Sequence, residues 1–372
     1  MPDALFLRRF GLMATLALAP AAGACAPVRA EHARPAERSG CQLASDTGAV
    51  RWVMPRPAEA SPEGWCVAVG TPVLRNRPGS QGAAVDSLLV VTWNTHVGGG
   101  DVARLVGDLR AGRITGAPVQ DFVLLLQEVY RAGGTVPAVA PAAYSPKRIA
   151  PAPADGERAD IASSAARLGL SLLYVPSMRN GRSEAGDPAE DRGNAILATR
   201  PLGAATAIEL PHQAQRRVAI AAEIGARTSA GEAWRLRLAS VHLDHRSSWS
   251  RIGESFGAGR QHQAAALVAA LGDGPATVLG GDLNTWSDER LETAVPYLRA
   301  HFPGTPPERG PATFSAGWYA RRLDHLFFRL PEGSASEVRR IDDRYGSDHY
   351  PLMGWVRPVA APGAARRVAG RG

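Results

Sequence analysis

Lysine is all but missing from this 372-residue chain: Lys147 is the single one among 42 basic residues. The net charge of +7 and the pI of about 9.8 therefore rest on arginine. A bias that strong, beside abundant Ala, Gly and Pro, fits a compositional habit of the source genome. The basic balance then weighs only a little toward an anionic partner. Cysteine is scarce too, at three residues, which excludes a four-cysteine structural zinc site. After residue 25 no apolar run is long enough to cross a membrane. Core material is not lacking. With 45% hydrophobic and 21% charged residues, the chain suits one large α/β domain or two smaller ones rather than a disordered polymer.

Residues 1–25 read as an export signal. Arg8 and Arg9 precede the run FGLMATLALAPAAGA, which is short for a membrane span and is broken as a helix by Pro20 and Gly23. Ala-Gly-Ala-Cys resembles a degenerate bacterial lipoprotein cleavage box, with Cys25 as the lipidated first residue. Cleavage after Ala30 stays open as the alternative, and the arginine pair bears a faint likeness to a twin-arginine signal. The expected location is outside the cytoplasm: periplasmic, anchored to a membrane through Cys25, or secreted. Residues 26–40 read as a tether and 41–86 as a small irregular preface, so that 26–86 precede the main domain. With Cys25 lipidated or removed, Cys41 and Cys66 remain as a pair. Two cysteines alone would make an unusual metal site, so a disulfide is expected in an oxidising compartment.

The regular part spans 87–358, followed by a tail over 359–372. SLLVVTWN, DFVLLLQEV and LSLLYVP are continuous apolar runs suited to strands buried on both faces. GNAILATR, RRVAIAAEI, WRLRLASVHLD, ATVLGGDLN, RLDHLFFRL and LMGWVRPV also read as strands. VARLVGDLRAGR, ADIASSAARLG, RQHQAAALVAALGDG and DERLETAVPYLRAHF read as helices, and 177–192 as a polar loop. The pattern predicts two sheets packed together and flanked by helices.

Polar residues recur where these strands end. Asn94 closes SLLVVTWN and Glu128 closes DFVLLLQE. His242 and Asp244 close LASVHLD, and Asp282 and Asn284 close ATVLGGDLN. Asp324 interrupts RRLDHLFF, while Asp348 and His349 precede the last strand. One acid at a strand end is ordinarily a solvated cap or turn residue. The repetition points instead to strand ends converging on one cleft, with hard oxygen ligands suited to Mg2+ or Mn2+.

The ordered series TWN, LQE, GNAIL, HLD, GDLN, RLDH and SDH resembles the endonuclease/exonuclease/phosphatase superfamily over residues 87–358. The resemblance implies a four-layer α/β sandwich, two packed mixed β-sheets flanked by helices, and metal-dependent cleavage of phosphate esters. It implies Glu128 as the main metal ligand with Asn94 beside it, and Asp348 as a further metal-side carboxylate. Asp282 would orient or deprotonate the attacking water, and Asn284 would fix a phosphate oxygen. His242 would bind phosphate or serve the leaving-group side. His349 would be the second catalytic histidine, paired with Asp324. Arg192 and Asp244 are added on the substrate side. His96, His212, His262 and His301 belong to no matched motif and read as surface or structural residues. Trp93 and Trp355 read as core, and the glycines 98–100 as a turn beside the cleft.

The expectation is thus a Mg2+-dependent hydrolase of phosphate esters, monomeric, with nucleic acid favoured as substrate. Arg179, Arg182, Arg192, Arg216 and Arg217 are the candidates for a basic groove. The alternatives are a sphingomyelinase- or phospholipase C-like headgroup hydrolase at a membrane surface, and a non-catalytic binding module on the same fold. A lipid hydrolase would be expected to carry an exposed apolar hairpin, and no clear one stands out in the sequence.

Overall fold

The computed structural model describes residues 44–45, 48–54, 63–77, 83–141, 144, 158–181, 189–245, 257–274, 276–286, 292–307, 310–331, 333–335 and 337–357. They form β1 (Ala44–Ser45), β2 (Gly48–Ala49), β3 (Arg51–Val53), α1 (Glu63–Cys66), β4 (Val73–Arg75), β5 (Leu88–Asn94), α2 (Val102–Arg110) and β6 (Phe122–Ala132). Next come α3 (Ile161–Leu168), β7 (Ser171–Arg179), β8 (Glu190–Ala198), β9 (Gly203–Glu209), β10 (Val218–Arg227), β11 (Ala233–His242) and α4 (Ala258–Leu271). The chain continues through β12 (Thr277–Asp282), α5 (Ala294–His301), β13 (Phe314–Ala316), β14 (Tyr319–Arg321), β15 (Asp324–Arg329), β16 (Arg339–Arg340) and β17 (Leu352–Val356).

Two large mixed sheets organise the molecule. One runs β16-β17-β5-β6-β8-β7-β4 and the other β15-β12-β11-β10-β9-β3. Each contains a parallel pair, β5 with β6 and β11 with β12. The chain between the members of each pair contains a helix, α2 or α4, as a parallel connection requires. The strands flanking these pairs on the β17 and β15 sides are antiparallel to them. Where β5, β6, β11 and β12 finish, β15 and β17 therefore begin, all at one edge of the sandwich.

Side-chain alternation builds the layers. On β5 and β6, Leu88, Val90, Val123 and Leu125 face the other sheet, meeting Leu238 and Val278 in a shared core. Leu89, Val91 and Trp93 point outward onto Leu105 of α2 and Ile161 of α3. Val241, Leu279 and Phe327 do the same on the far side against Leu267 of α4 and Leu298 of α5. Helices, sheet, sheet and helices make the expected four-layer sandwich, and burial on both faces explains the unbroken apolar runs. Asp101 and Asp160 cap α2 and α3 by accepting the Arg104 and Ser163 amide N–H groups. The sheets approach closely at Gly280, where an added Cβ would lie 2.8 Å from Thr92 Cβ and 2.9 Å from Leu125 Cδ1.

Some expectations need correction. The span 177–192 is not all loop: its first residues complete β7 and its last open β8. Only Ala294–His301 of the expected DERLETAVPYLRAHF helix is described as helical. Strand β9 and the hairpin β13–β14 are not foreseen in the sequence, and the segment 41–86 is not a separate irregular preface, since β3 and β4 are edge strands of the two large sheets. The export signal, Cys25, Cys41, the tether 26–40 and the tail 359–372 lie outside the described residues, whereas Cys66 ends α1. No helix among the described residues is long and apolar enough to cross a membrane.

Candidate active site

The alternation that fills the inter-sheet core also assembles the site. Continuing inward-facing positions to the strand ends turns Leu88 and Val90 into Thr92 and Asn94. In the same way Leu238 gives way to His242, and Val278 to Asp282. On the antiparallel β15 the order reverses, with Asp324 preceding Leu326 and Phe328. In register, Asp282 lies opposite both His242 and Asp324. Glu128 arrives differently. Pairing between β6 and β8 shifts between Leu126 and Val129, and Glu128 sits there at φ 49°. A bulge of this kind re-aims one side chain at a strand edge.

The side chains form a connected set. Asn94 Nδ2 donates to Asp282 Oδ2 over 2.9 Å, and the Asn284 amide N–H donates to Asp282 Oδ1 over 2.8 Å. His242 Nε2 stands 3.4 Å from Asp282 Oδ2, and its Nδ1 stands 3.9 Å from Glu128 Oε1. His349 Nδ1 meets Asp324 Oδ2 at 2.7 Å, while its Nε2 lies 3.9 Å from both Asp282 Oδ2 and Asp348 Oδ1. The backbone around His349 is pinned. Its N–H donates to Ser347 Oγ, that hydroxyl donates to the Asn94 carbonyl, and Trp93 Nε1 donates to the His349 carbonyl. Thr313 Oγ1 accepts from the amides of Leu323 and Asp324, fixing the start of β15.

Burial and charge divide the two histidines. Burial acts to lower the His349 pKa, but the charge and hydrogen bond of Asp324, aided by Asp282 and Asp348, hold it up at about 10. His242 is pushed well below its ordinary value by burial and then by Arg217, His349, Arg192 and His245. At neutral pH one imidazole is a cation and the other is neutral. Burial also raises the Asp282 carboxyl to about 6, against the lowering effect of His349.

The donor set fits a hard divalent cation. Among the described residues the Glu128 carboxylate accepts no hydrogen bond, although its side chain is only 18% exposed. Asp324 Oδ1 is buried without a partner. Asp282, Asp324 and His349 offer ligand atoms within 4.8 Å of one another. A 2.7 Å ion pair already engages Asp324 with His349, so these three read better as a hydrogen-bonded unit beside a cation than as its cage. Glu128 supplies oxygens of the right kind; Asn94 lies in register with its neighbour Gln127, and Asp348 lies 3.9 Å from His349 Nε2.

Several sequence expectations change in detail. Asn284, expected to touch a phosphate oxygen, uses its amide inside the protein. Its Nδ2 lies 2.9 Å from His242 Nε2 and donates to the Leu243 carbonyl over 2.8 Å, while its Oδ1 accepts from Trp286 Nε1. Asn284 therefore orients His242. Asp244, expected on the substrate side, is fully buried and accepts the Ala214 and Gln215 amides, so it holds the turn before β10. Arg192 lies close enough to Glu128 to feel its charge, and Asp348 stands at the rim with its side chain 32% exposed. The sequence reading also set His96 aside, yet its Nδ1 is 3.5 Å from Asp348. The signal was its place two residues after Asn94. Phe314 and Trp286 were missed as well. Their rings are 5.0 Å apart, and Phe314 packs 5.0 Å from His349.

Buried carboxylates and imidazoles gathered at one edge of such a sandwich, with oxygens suited to a hard cation, belong to metal-dependent hydrolases of phosphate esters. The match of residues 91–349 to the Endonuclease/Exonuclease/phosphatase family agrees, and the chain belongs to that family. A search of curated proteins finds no match. Among solved structures, an endonuclease/exonuclease/phosphatase from Beutenbergia cavernae DSM 12333 is 18% identical at TM-score 0.46, covering 73% of this chain and 72% of its own. Sphingomyelinase C from Streptomyces griseocarneus is 17% identical at TM-score 0.41, with coverage of 73% and 100%. The catalytic domain of Xenopus laevis APE2 is 15% identical at TM-score 0.41, with coverage of 74% and 94%.

Proposed function

We propose that the chain is an exported, monomeric, Mg2+-dependent phosphodiesterase that cleaves nucleic acid. The observation that carries the chemistry is Asp282, buried and held between Asn94 and Asn284, 3.9 Å from the imidazolium side of the Asp324–His349 pair. A cation held by Glu128, with Asn94 and Asp348, would neutralise phosphate charge. Asp282 takes a proton from the attacking water, its two oxygens fixed in direction by the amides that hold them. His349, kept cationic by Asp324, donates a hydrogen bond where charge grows on the phosphoryl oxygens. Neutral His242, oriented by Asn284, presents its Nδ1 side toward Glu128.

Nucleic acid is favoured by the surroundings of the β13–β14 hairpin. Trp318 at its tip is 95% exposed, and Arg321 stacks 4.6 Å over Tyr319. Arg344 donates to the Ser315 carbonyl, and Phe314 roots the hairpin on His349. Aromatic and basic groups interleaved beside a cleft suit stacked bases and phosphates. The same Trp318 supports a second reading. It is the exposed apolar tip that the sequence did not announce, and it would suit insertion at a lipid surface by a headgroup hydrolase anchored through Cys25. A Cys41–Cys66 disulfide belongs to this proposal as the tie that an oxidising compartment permits.

The deciding experiment incubates the mature protein with Mg2+ or Mn2+ and plasmid DNA, RNA, sphingomyelin or a generic diester. DNA cleavage that EDTA abolishes, and that Asp282→Asn lowers at least ~10²-fold, is expected. Sphingomyelin turnover with intact DNA would establish the second reading. Inertness toward every substrate would leave a binding module.

A further inference from the structure

We infer that Arg192 and Arg217 form a second anion subsite, which holds a phosphate neighbouring the one that is cleaved. This rests on the diesterase reading above and narrows its substrate to polyanionic strands.

The geometry follows from strand order. Along the open edge, the seven-stranded sheet presents Asn94 on β5, Glu128 on β6 and then Arg192 on β8. The facing sheet presents Asp282 on β12, His242 on β11 and then Arg217 immediately before β10. The two arginines thus stand one strand beyond Glu128 and His242, and two strands beyond Asn94 and Asp282. Neighbouring strands are about 4.8 Å apart, so the arginine end lies about 10 Å from the Asn94–Asp282 end. That spacing separates the backbones carrying the two ends by enough to leave room for one phosphate at Asp282 and another at the arginines.

The arginines are built for an anion that the protein itself does not supply. They are 5% and 6% exposed, and Arg192 Nη1 and Arg217 Nε are buried without a hydrogen-bond partner. The one hydrogen bond of the Arg192 guanidinium is to Met178 Sδ at 3.2 Å, a weak acceptor. Other deeply buried arginines are neutralised: Arg131 by Asp191, Arg216 by Glu209 and Arg260 by Glu292. Among the described residues neither Arg192 nor Arg217 has an ion pair; Arg217 repels Arg192 and both act on His242, while the one attraction on Arg192 comes from Glu128, the carboxylate assigned to the cation. A buried charge without an ion pair is costly, so two within each other's field signify a missing counter-charge. Asp244 strengthens the case. It neutralises neither arginine, but its Oδ2 fixes the turn at Ala214 and Gln215 that delivers Arg217.

A planar fork of donors recognises phosphate oxygens. The ligand is therefore a phosphodiester carrying a further phosphate, as any nucleic-acid strand does. A phosphocholine headgroup would bring a cation to this end instead.

The test has two readouts. First, metal-free protein is titrated with inorganic phosphate by calorimetry. Saturable binding that weakens at least ~10-fold in both Arg192→Gln and Arg217→Gln is expected, one lost charge-assisted contact being of that order. Each substitution removes a buried, unpaired charge, so the melting temperature of the anion-free variants should hold or rise, which separates lost binding from unfolding. Second, with Mg2+, the ratio of kcat/KM for a 5′-phosphorylated dinucleotide to that for its unphosphorylated counterpart should be ~10 or more in wild type and approach one in both variants. Phosphate binding that is unaltered by either substitution, or a ratio already at one in wild type, overturns the subsite. Failure to cleave either dinucleotide sinks the diesterase reading, while the titration still decides whether the arginines bind phosphate.

Discussion

At the scale of single residues, Asp324 and His349 show how the fold sets a protonation state. The pair is buried, and Asp324 holds the imidazole at 2.7 Å. His349 titrates at about 10 in the folded chain against its ordinary 6.5. A raised folded value means that the pair's contribution to stability is complete below pH 6.5 and fades as pH climbs through 10. Asp282, raised to about 6, titrates below that window. Urea denaturation in EDTA should therefore show wild type more stable than Asp324→Asn at pH 6, with the gap narrowing toward pH 10. A gap of constant size would mean that the imidazole is not held as a cation. In metal-supplemented assays the same variant should lose ~10²-fold in kcat. The partnership was legible in the sequence, because RLDH and SDH carry it in their order. The work of Asn284 was not, because its partners Trp286 and Leu243 are chosen by a left-handed turn at φ 52° that no local pattern announces. Asp244 misled for a related reason: an acid at a strand end looks the same whether it faces a substrate or a backbone turn.

At the scale of elements, legibility followed burial. β5, β6 and β7 stood out because residues on both their faces enter cores, leaving unbroken apolar runs. β9 was overlooked because its first residues, Gly203 and Ala204, are exposed and small, and only five buried residues follow, two of them the polar Thr206 and Glu209. The hairpin β13–β14 was overlooked because its strands are three residues each and Trp318 points away from any core. Gly280 makes a testable case of element packing. The conformation there demands no glycine, but there is no room: Thr92 and Leu125 of the opposite sheet and Leu326 of the neighbouring strand would each have an atom within 2.9 Å of an added Cβ. Gly280→Ala should cost ~1–3 kcal/mol by urea denaturation, as overpacking does. It should also lower turnover, because Asp282 lies two residues along the strand that must shift. An alanine variant with unchanged stability and kinetics would show that the sheets are not locked at this layer.

At the scale of the whole molecule, the site is a joint between two sheets. Asn94 and Glu128 come from one, Asp282 and His242 from the other, and a single apolar core binds the sheets beneath them. Two consequences follow. Because neither inner face is covered without the other, far-ultraviolet dichroism and tryptophan fluorescence should report one coincident unfolding transition; two separate transitions would mean that the sheets are stable independently and the site is not fixed by their packing. Because carboxylates from both sheets face one opening, a cation that binds only the folded form should tighten the joint. At 100 times its dissociation constant it would add about 2.7 kcal/mol, which raises the melting temperature by several degrees. Glu128→Gln removes a negative charge but no hydrogen bond, so in EDTA it should stay folded and melt somewhat below wild type for the lost attraction to Arg192, while losing most of the Mg2+-induced rise. If Glu128→Gln kept the full rise, the principal cation ligand would have to be sought elsewhere, with the Asp282, Asp324 and His349 cluster the next place to look.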